Sequence, residues 1–479
     1  TSCTNAAPTL PHPRTPILTV CALLVTGVRL RDPVPSAHDR FWQIGEATPG
    51  ALAVTAHRFM SVHRLLVGAL LVGSSTSACS TSPDDAATST VSSSVSPPAE
   101  VIDPPVTTNA PEPEPEPEPT ATTTATTTTV PARSYDFSGV DLIVDQFVIG
   151  RDLAGAGLVV VDRDDGIVHE QYWGDFGPER VSLIASASKM IVAGVVMRLD
   201  DQGVLDVDAP VNAAVEWEAG NANITPAQLV SNSSGLVGLA PNPGYAPYVC
   251  QFQAQGDLQS CGSTIFTTSD DDADTIEPDT EFRYGGGQWQ VAGALAEAVS
   301  GRSWAELLDE TYVQPCGVDS LGFNNHWTQF GPVGFTYPEA FDGDVGSLAD
   351  TANPNMEGGA HITAPDYAQL LLMHLRGGRC GDVQVLSSDA VARMHTDRIG
   401  EVYRGSAGSA GYGMGWWVDR ASGRLTDPGA YGAVPWLELD SGHGAYLVVE
   451  ADSSTGTALA DELFGPVAEA IADGRAGTL

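Results

Sequence analysis

Hydrophobic positions follow no sustained period over residues 1–59, and a short apolar run, "LLVGALLV", lies at 65–72. From 80 to 133 apolar residues are too sparse to build a core: Ser/Thr tracts surround "PEPEPEPEP" at 111–119. Pro-Glu alternation is stiff and extended, and polar Ser/Thr tracts stay disordered. Regular patterning starts near Tyr135 and continues to the end of the chain.

Within that stretch each pattern predicts an element. Residues 144–150 read as the end of a helix. Two β-rich runs in 156–174 flank Asp164-Asp165-Gly166, a hairpin signal. After Ser186, apolar residues at Ile191, Val192, Val195, Val196 and Leu199 have the spacing of one helix face. Residues 224–230 predict a short capped helix, followed by the turn "SNSSGL". A helix over 288–301 ends on Gly301, where helices favour glycine. Thr363 as N-cap, Pro365 in the first turn and Asp366 three residues on open another helix, closed by the pair Gly377-Gly378. Residues 430–440 and 444–452 read as two antiparallel strands, with a last helix from about Thr457 to Ala472. Strands at both ends with helices between predict an α+β fold, its sheet formed by distant parts of the chain.

Before Tyr135 the sequence reads as delivery and spacing. Residues 1–59 lack an initiating methionine and read as over-extended upstream translation, with Met60 as the true start; a long leader is the alternative. Residues 60–79 have a short basic start (His63, Arg64), an apolar run, small residues and then Cys79. The run is too short for a membrane span and fits an export signal. A cysteine after small residues resembles a bacterial lipoprotein signal, which implies lipidation of Cys79. Thr76, at the position of the usual leucine, leaves cleavage without lipidation open. Residues 80–133 are then a spacer between a membrane anchor and the domain at 134–479.

Charge narrows the partners. With 60 acidic residues against 22 Lys+Arg, the net charge of −38 excludes nucleic acid and electrostatic docking on anionic lipid. The composition is that of a high-GC bacterium with an acidic, soluble surface. Four of the seven cysteines lie in the domain, and an even number in an exported chain favours disulfides. Cys250 and Cys261, bracketing a short loop, are the preferred pair; Cys316–Cys380 is the second. Cys/His metal spacing is absent, so neither a metal nor another cofactor is expected.

One lysine changes the picture. Lys189 is the only lysine in the chain; every other residue of the Lys+Arg sum is arginine. Lysine can lose its proton inside a protein, and arginine cannot. It stands three residues after Ser186, in "SLIASASKMIVAGVVMRL", among small and apolar neighbours. Three residues apart on a helix, the two side chains share a face and can touch. A serine hydroxyl needs a base to become a nucleophile, and burial can lower a lysine's pKa enough to serve. The competing reading is a surface lysine near a helix cap.

The segment "ASASKMIVAGVVMRLDDQGVLDVDAPV" resembles the nucleophile helix of the serine β-lactamase and penicillin-binding-protein superfamily, in particular its class C-like, esterase-containing branch. "ITPAQLVSNSSGL", "TEFRYGGGQWQVAGALAEAVSG", "GGAHITAPDYAQLLLMHLRGG" and "YGMGWWV" resemble later landmarks in the same order. The resemblance implies a β-lactamase/transpeptidase-like fold: an antiparallel sheet flanked by helices and a mostly helical second lobe. It further implies Ser186 as nucleophile, Lys189 as base and Tyr284 as proton relay to the leaving group. The third motif is expected at "DPGAYG" (427–432), where a strand edge with Gly429 offers the Ala430 N–H as oxyanion donor. A competing placement is "GHG" at 442–444, which leaves little sheet after it. Two departures stand out. Gly286 replaces the amide of the Tyr-x-Asn motif, and Asp427 replaces the K-T-G lysine that grips a substrate carboxylate. An anion there repels penicillins and D-Ala-D-Ala termini. A neutral ester or amide is the expected small-molecule substrate, in an exported, lipid-anchored or secreted enzyme. A β-lactamase or cell-wall peptidase and a non-catalytic binding module are the alternatives.

Overall fold

In a computed structural model, residues 133–477 are described, apart from 218–222, 240–243, 269–273, 328–340, 401–402 and 406. The leader, Cys79 and the spacer lie outside the described residues, as does nearly all of the acidic run 269–274.

The sheet is built from both ends of the domain. Strand β1 (Gly155–Asp162) pairs antiparallel with β2 (Gly166–Gly174) across the predicted turn, with Gly166 at φ +85°. On its other side β1 pairs with a C-terminal strand, His443–Val448, which pairs in turn with Ala433–Glu438. Three two-residue strands, Leu425–Thr426, Trp417–Val418 and Gly411–Tyr412, complete seven antiparallel strands.

Every residue of β1 is buried, because both faces of the sheet are covered. Leu158 and Val160 face a core with Val434, Trp436 and Leu447, covered by α1 (Ser138–Gly150) and the C-terminal helix Ser453–Ala476. Val159 and Val161 face the larger core, which holds α2 (Lys189–Asp201), α3 (Gly286–Ser300) and α4 (Ala364–Leu375). The C-terminal helix is longer than its pattern predicts, because Asp452 caps it by accepting the Thr455 N–H and Pro466 is accommodated inside. Helix α2 also departs from the one-face reading: Lys189 through Met197 are all buried. Apolar on every side, it is a central helix with no solvent face to keep polar.

Capping follows the sequence. Thr225 and Gln228 form a reciprocal capping box, Thr363 accepts the Asp366 N–H, and Gly301 ends α3 at φ +67°. Both expected disulfides form, Cys250–Cys261 and Cys316–Cys380. No helix among the described residues is long and apolar enough to cross a membrane.

Candidate active site

Ser186 stands in a 3-10 turn, Ala185–Ser188, that runs into α2 at Lys189. The turn is entered through Ala185 at φ +45°, a left-handed backbone that a residue with a Cβ adopts under strain. Sequence periodicity placed Ser186 at the start of the helix and gave no sign of this kink. Ser188 Oγ pins the turn, donating to the Ala185 carbonyl at 2.6 Å and accepting from the Ala360 N–H at 3.1 Å. The Tyr367 hydroxyl donates to the Ala187 carbonyl at 2.9 Å.

Lys189 is fully buried. Its Nζ donates to Ser186 Oγ at 3.0 Å and to the Glu357 carbonyl at 2.8 Å. It lies 4.7 Å from the centroid of the Tyr284 ring and 6.0 Å from that of Trp289. Burial pulls the amine below its ordinary pKa, while the carboxyls of Glu357 and Asp427 pull the other way. The net direction is the one a base requires.

Tyr284 is brought to the same point, where Ser186, Asp427 and Glu357 all act on its hydroxyl. Burial raises its phenol well above the usual range, Asp427 and Glu357 raise it further, and Ser186 opposes them. The phenol therefore stays protonated at neutral pH and is suited to donating a proton. Trp417 stacks on the ring at 5.4 Å, and Tyr412 meets it edge-on at 6.3 Å. Trp289 is held from behind: its indole N–H and the Gln288 amide both donate to Asn232 Oδ1, at 3.1 and 2.7 Å.

The segment Asp427–Gly432 corrects the expected strand edge. It is a tight turn between Leu425–Thr426 and Ala433–Glu438. Pro428 has no N–H to give a ladder, and Gly432 turns the chain at φ +79°. The Gly429 N–H donates to the Ala433 carbonyl at 2.7 Å, and a Cβ at Gly429 would lie 2.0 Å from the Ile184 carbonyl oxygen. The turn is thus pressed against the segment entering Ser186. Ala430 and Ala185 share one apolar cluster with Leu183, Trp327, Phe341 and Tyr431. Neither the Ser186 nor the Ala430 N–H joins the backbone hydrogen bonds among the described residues. The reason given against the competing "GHG" placement fails, since His443–Val448 is a six-residue strand inside the sheet. Its histidine instead faces Arg475, Asp162 and Arg424.

Gly286, the missing amide of the second motif, opens α3. A Cβ there would meet Gln251 Oε1 at 2.1 Å and the Glu357 carboxyl carbon at 2.3 Å. The space any side chain at 286 would enter is therefore filled by another amide and an acid. Asp427 is fully buried, and neither carboxylate oxygen has a hydrogen-bond partner among the described residues. Burial raises its pKa well above the carboxylate range, opposed by Lys189. Burial thus works against the anion that the sequence predicts there, and Lys189 works for it. Glu357 is raised for the same reason, again opposed by Lys189.

Sequence reading missed Glu357, Gln251 and Trp289. The one available signal was an acid, Glu357, immediately before the Gly358-Gly359 landmark. Among the described residues no group of His, Cys, Asp and Glu could hold a metal ion.

A strained turn presenting a serine to a buried lysine, between a helical lobe and a seven-stranded sheet, defines a serine-hydrolase-type fold. The beta-lactamase family model matches residues 140–477, and the chain belongs to that family. It is 27% identical over 284 residues to penicillin-binding protein 4 of Amycolatopsis lactamdurans, spanning 55% of this chain and 70% of that one. In fold it is similar to EstCE1, a hydrolase with promiscuous acyltransferase activity (TM-score 0.53, 19% identity, 69% of this chain and 97% of that one). It is also similar to an octameric penicillin-binding protein homologue from Pyrococcus abyssi (TM-score 0.52, 19% identity, 68% and 75%).

Proposed function

We propose that this protein is an exported serine hydrolase, esterase-like, that cleaves an ester or amide lacking a carboxylate beside the scissile bond. The observation that carries the reading is the 3.0 Å contact between Ser186 Oγ and the buried amine of Lys189. Lys189 takes the hydroxyl proton as Oγ bonds to the carbonyl carbon. The developing oxyanion is met by the N–H groups of Ser186 and Ala430. Collapse breaks the bond to the leaving group, which receives the proton from Lys189 through Tyr284. Water then attacks the acyl-serine, giving its proton to the same pair and releasing the acid while Ser186 regains its hydrogen. Gly429 holds the Ala430 turn in place.

Two disulfides fit an oxidising compartment, and residues 60–79 fit an export signal. Cys79 would be the lipid anchor on the outer face of the cytoplasmic membrane, with plain secretion as the other outcome. A second reading, a β-lactamase or D-Ala-D-Ala-type cell-wall peptidase, is favoured by the likeness to penicillin-binding protein 4. Asp427 argues against it.

Intact mass after exposure to a fluorophosphonate tests the mechanism. A single adduct, lost in Ser186→Ala, is expected; no adduct would move the chain to a non-catalytic binding role. Nitrocefin turnover would favour the second reading over the first.

A further inference from the structure

The site holds more acid than base. Among the described residues Lys189 is the one cation that acts electrostatically on either Asp427 or Glu357. Both carboxyls act on Lys189 and on Tyr284, so they flank the reacting atoms. Asp427 offers two buried oxygens with no donor, and Gln251 Oε1, against Glu357 above Gly286, is a third orphan acceptor. The neighbouring surfaces are the aromatic rings of Tyr284, Tyr412 and Trp417. Orphan acceptors and π faces together suit a cation that brings N–H donors.

The chemistry sharpens the mismatch. To act as base, Lys189 must be neutral when Ser186 attacks, and at that moment the two acids lose their only counter-charge. Ionised, they would hold the lysine proton in place; protonated, they leave Asp427 with nothing to bond. A positive charge on the substrate resolves both problems.

Resting on the esterase-like reading above, we propose that the site selects esters or amides carrying a protonated amine. Asp427 and Glu357 hold the ammonium through its N–H donors, and the bound charge stands in for that of Lys189 when the lysine gives up its proton. The sign reversal at position 427 is then a switch of substrate charge. The protein's net charge of −38 also draws cations toward it.

The test uses the full chain and pairs of esters that differ only in charge. Ethyl β-alaninate is compared with ethyl butyrate, placing the ammonium in the acyl half. Protonated 2-(dimethylamino)ethyl acetate is compared with 3-methylbutyl acetate, placing it in the alcohol half. Fluorophosphonate labelling of Ser186 is run alongside. In at least one pair the cationic ester should be favoured in kcat/KM by about 10- to 100-fold, the range of hydrogen bonds to charged groups. Asp427→Asn should bring that ratio close to unity, and Glu357→Gln should lower it, which keeps the test decisive if one variant misfolds. Labelled Ser186 with ratios at or below one in both pairs would overturn the inference and leave the esterase reading standing. A preference that survives both substitutions would overturn it too. No label and no hydrolysis of any ester would overturn both readings together.

Discussion

Two aspartates without exposed surface, one near the edge of the fold and one deep within it, are treated in opposite ways. Asp162, at the end of β1, and Asp427, in the turn beside Ser186, both have no exposed surface. Desolvation pushes both upward, but at Asp162 it is outweighed. Asp162 accepts the N–H groups of Asp164 and Asp165 at 2.9 and 3.1 Å and the Arg475 Nε at 2.9 Å. Its pKa ends below the ordinary value. It joins the hairpin to the C-terminal helix, and its bonding capacity is used. Asp427 accepts nothing from the described residues, and its pKa ends well above. A buried acid that serves the fold has its partners within the fold. One that lacks them is a cost the fold carries for another reason.

The sharpest way to break this comparison is to remove each acid's cation. Lys189→Met should lower kcat/KM by about 10³-fold or more with little loss of stability, since general-base removal alone is worth about 10²–10⁴. Full activity in that variant would end the assignment of Lys189. Arg475→Met should do the reverse: Asp162 keeps its two backbone donors and Arg133 at 3.9 Å but loses its charge-assisted bonds, at a cost of about 1–3 kcal/mol in a urea melt, with kcat/KM of the folded protein unchanged. Next in size is Tyr284→Phe, expected to lose about 10²-fold in kcat, because the proposed proton relay runs through the hydroxyl while the ring contacts are kept. The acids themselves give a smaller contrast. Asp162→Asn should destabilise by about 1–3 kcal/mol, whereas Asp427→Asn should be neutral or stabilising. A destabilising Asp427→Asn would mean the carboxyl has a structural partner after all.

Smallest is a difference in pH dependence. With its folded pKa depressed, Asp162 contributes stability that is present above its unfolded value near 3.9 and lost as pH falls through the folded one. Asp427, with its folded pKa raised, contributes most below about 3.9 and loses that contribution as pH rises toward its folded value. Denaturant midpoints should therefore fall with rising pH more in the wild type than in Asp427→Asn. Parallel curves would contradict the contrast.

Much of the fold was legible because its signals are local. The Asp-Gly hairpin, the caps at Thr225 and Thr363 and the glycine after α3 each act within a few residues. Ser186 and Lys189 were legible for the same reason, being three apart. Glu357 and Gln251 were not: they reach Gly286 from segments 71 and 35 residues away in number, and nothing in either neighbourhood specifies the meeting. The surroundings of Asp427 were not legible, because its identity is written in the sequence and its burial is not. Helix α2 was misread in the same way, its apolar positions counted on one face when every face is covered.

The disulfide Cys250–Cys261 has a bearing on when the site is finished. Gln251 follows the first of these cysteines directly, and its carbonyl receives the amides of Asn325 and Asn355 at 2.9 and 2.8 Å. Ser186 and Lys189 meet within one turn of chain, three residues apart; the wall over Gly286 comes from a distant segment fastened by a covalent bond made after synthesis. Folding thus brings Ser186 to Lys189, and oxidation fastens the segment that closes over Gly286, so a chain still holding reduced thiols would have the pair before that wall was fixed.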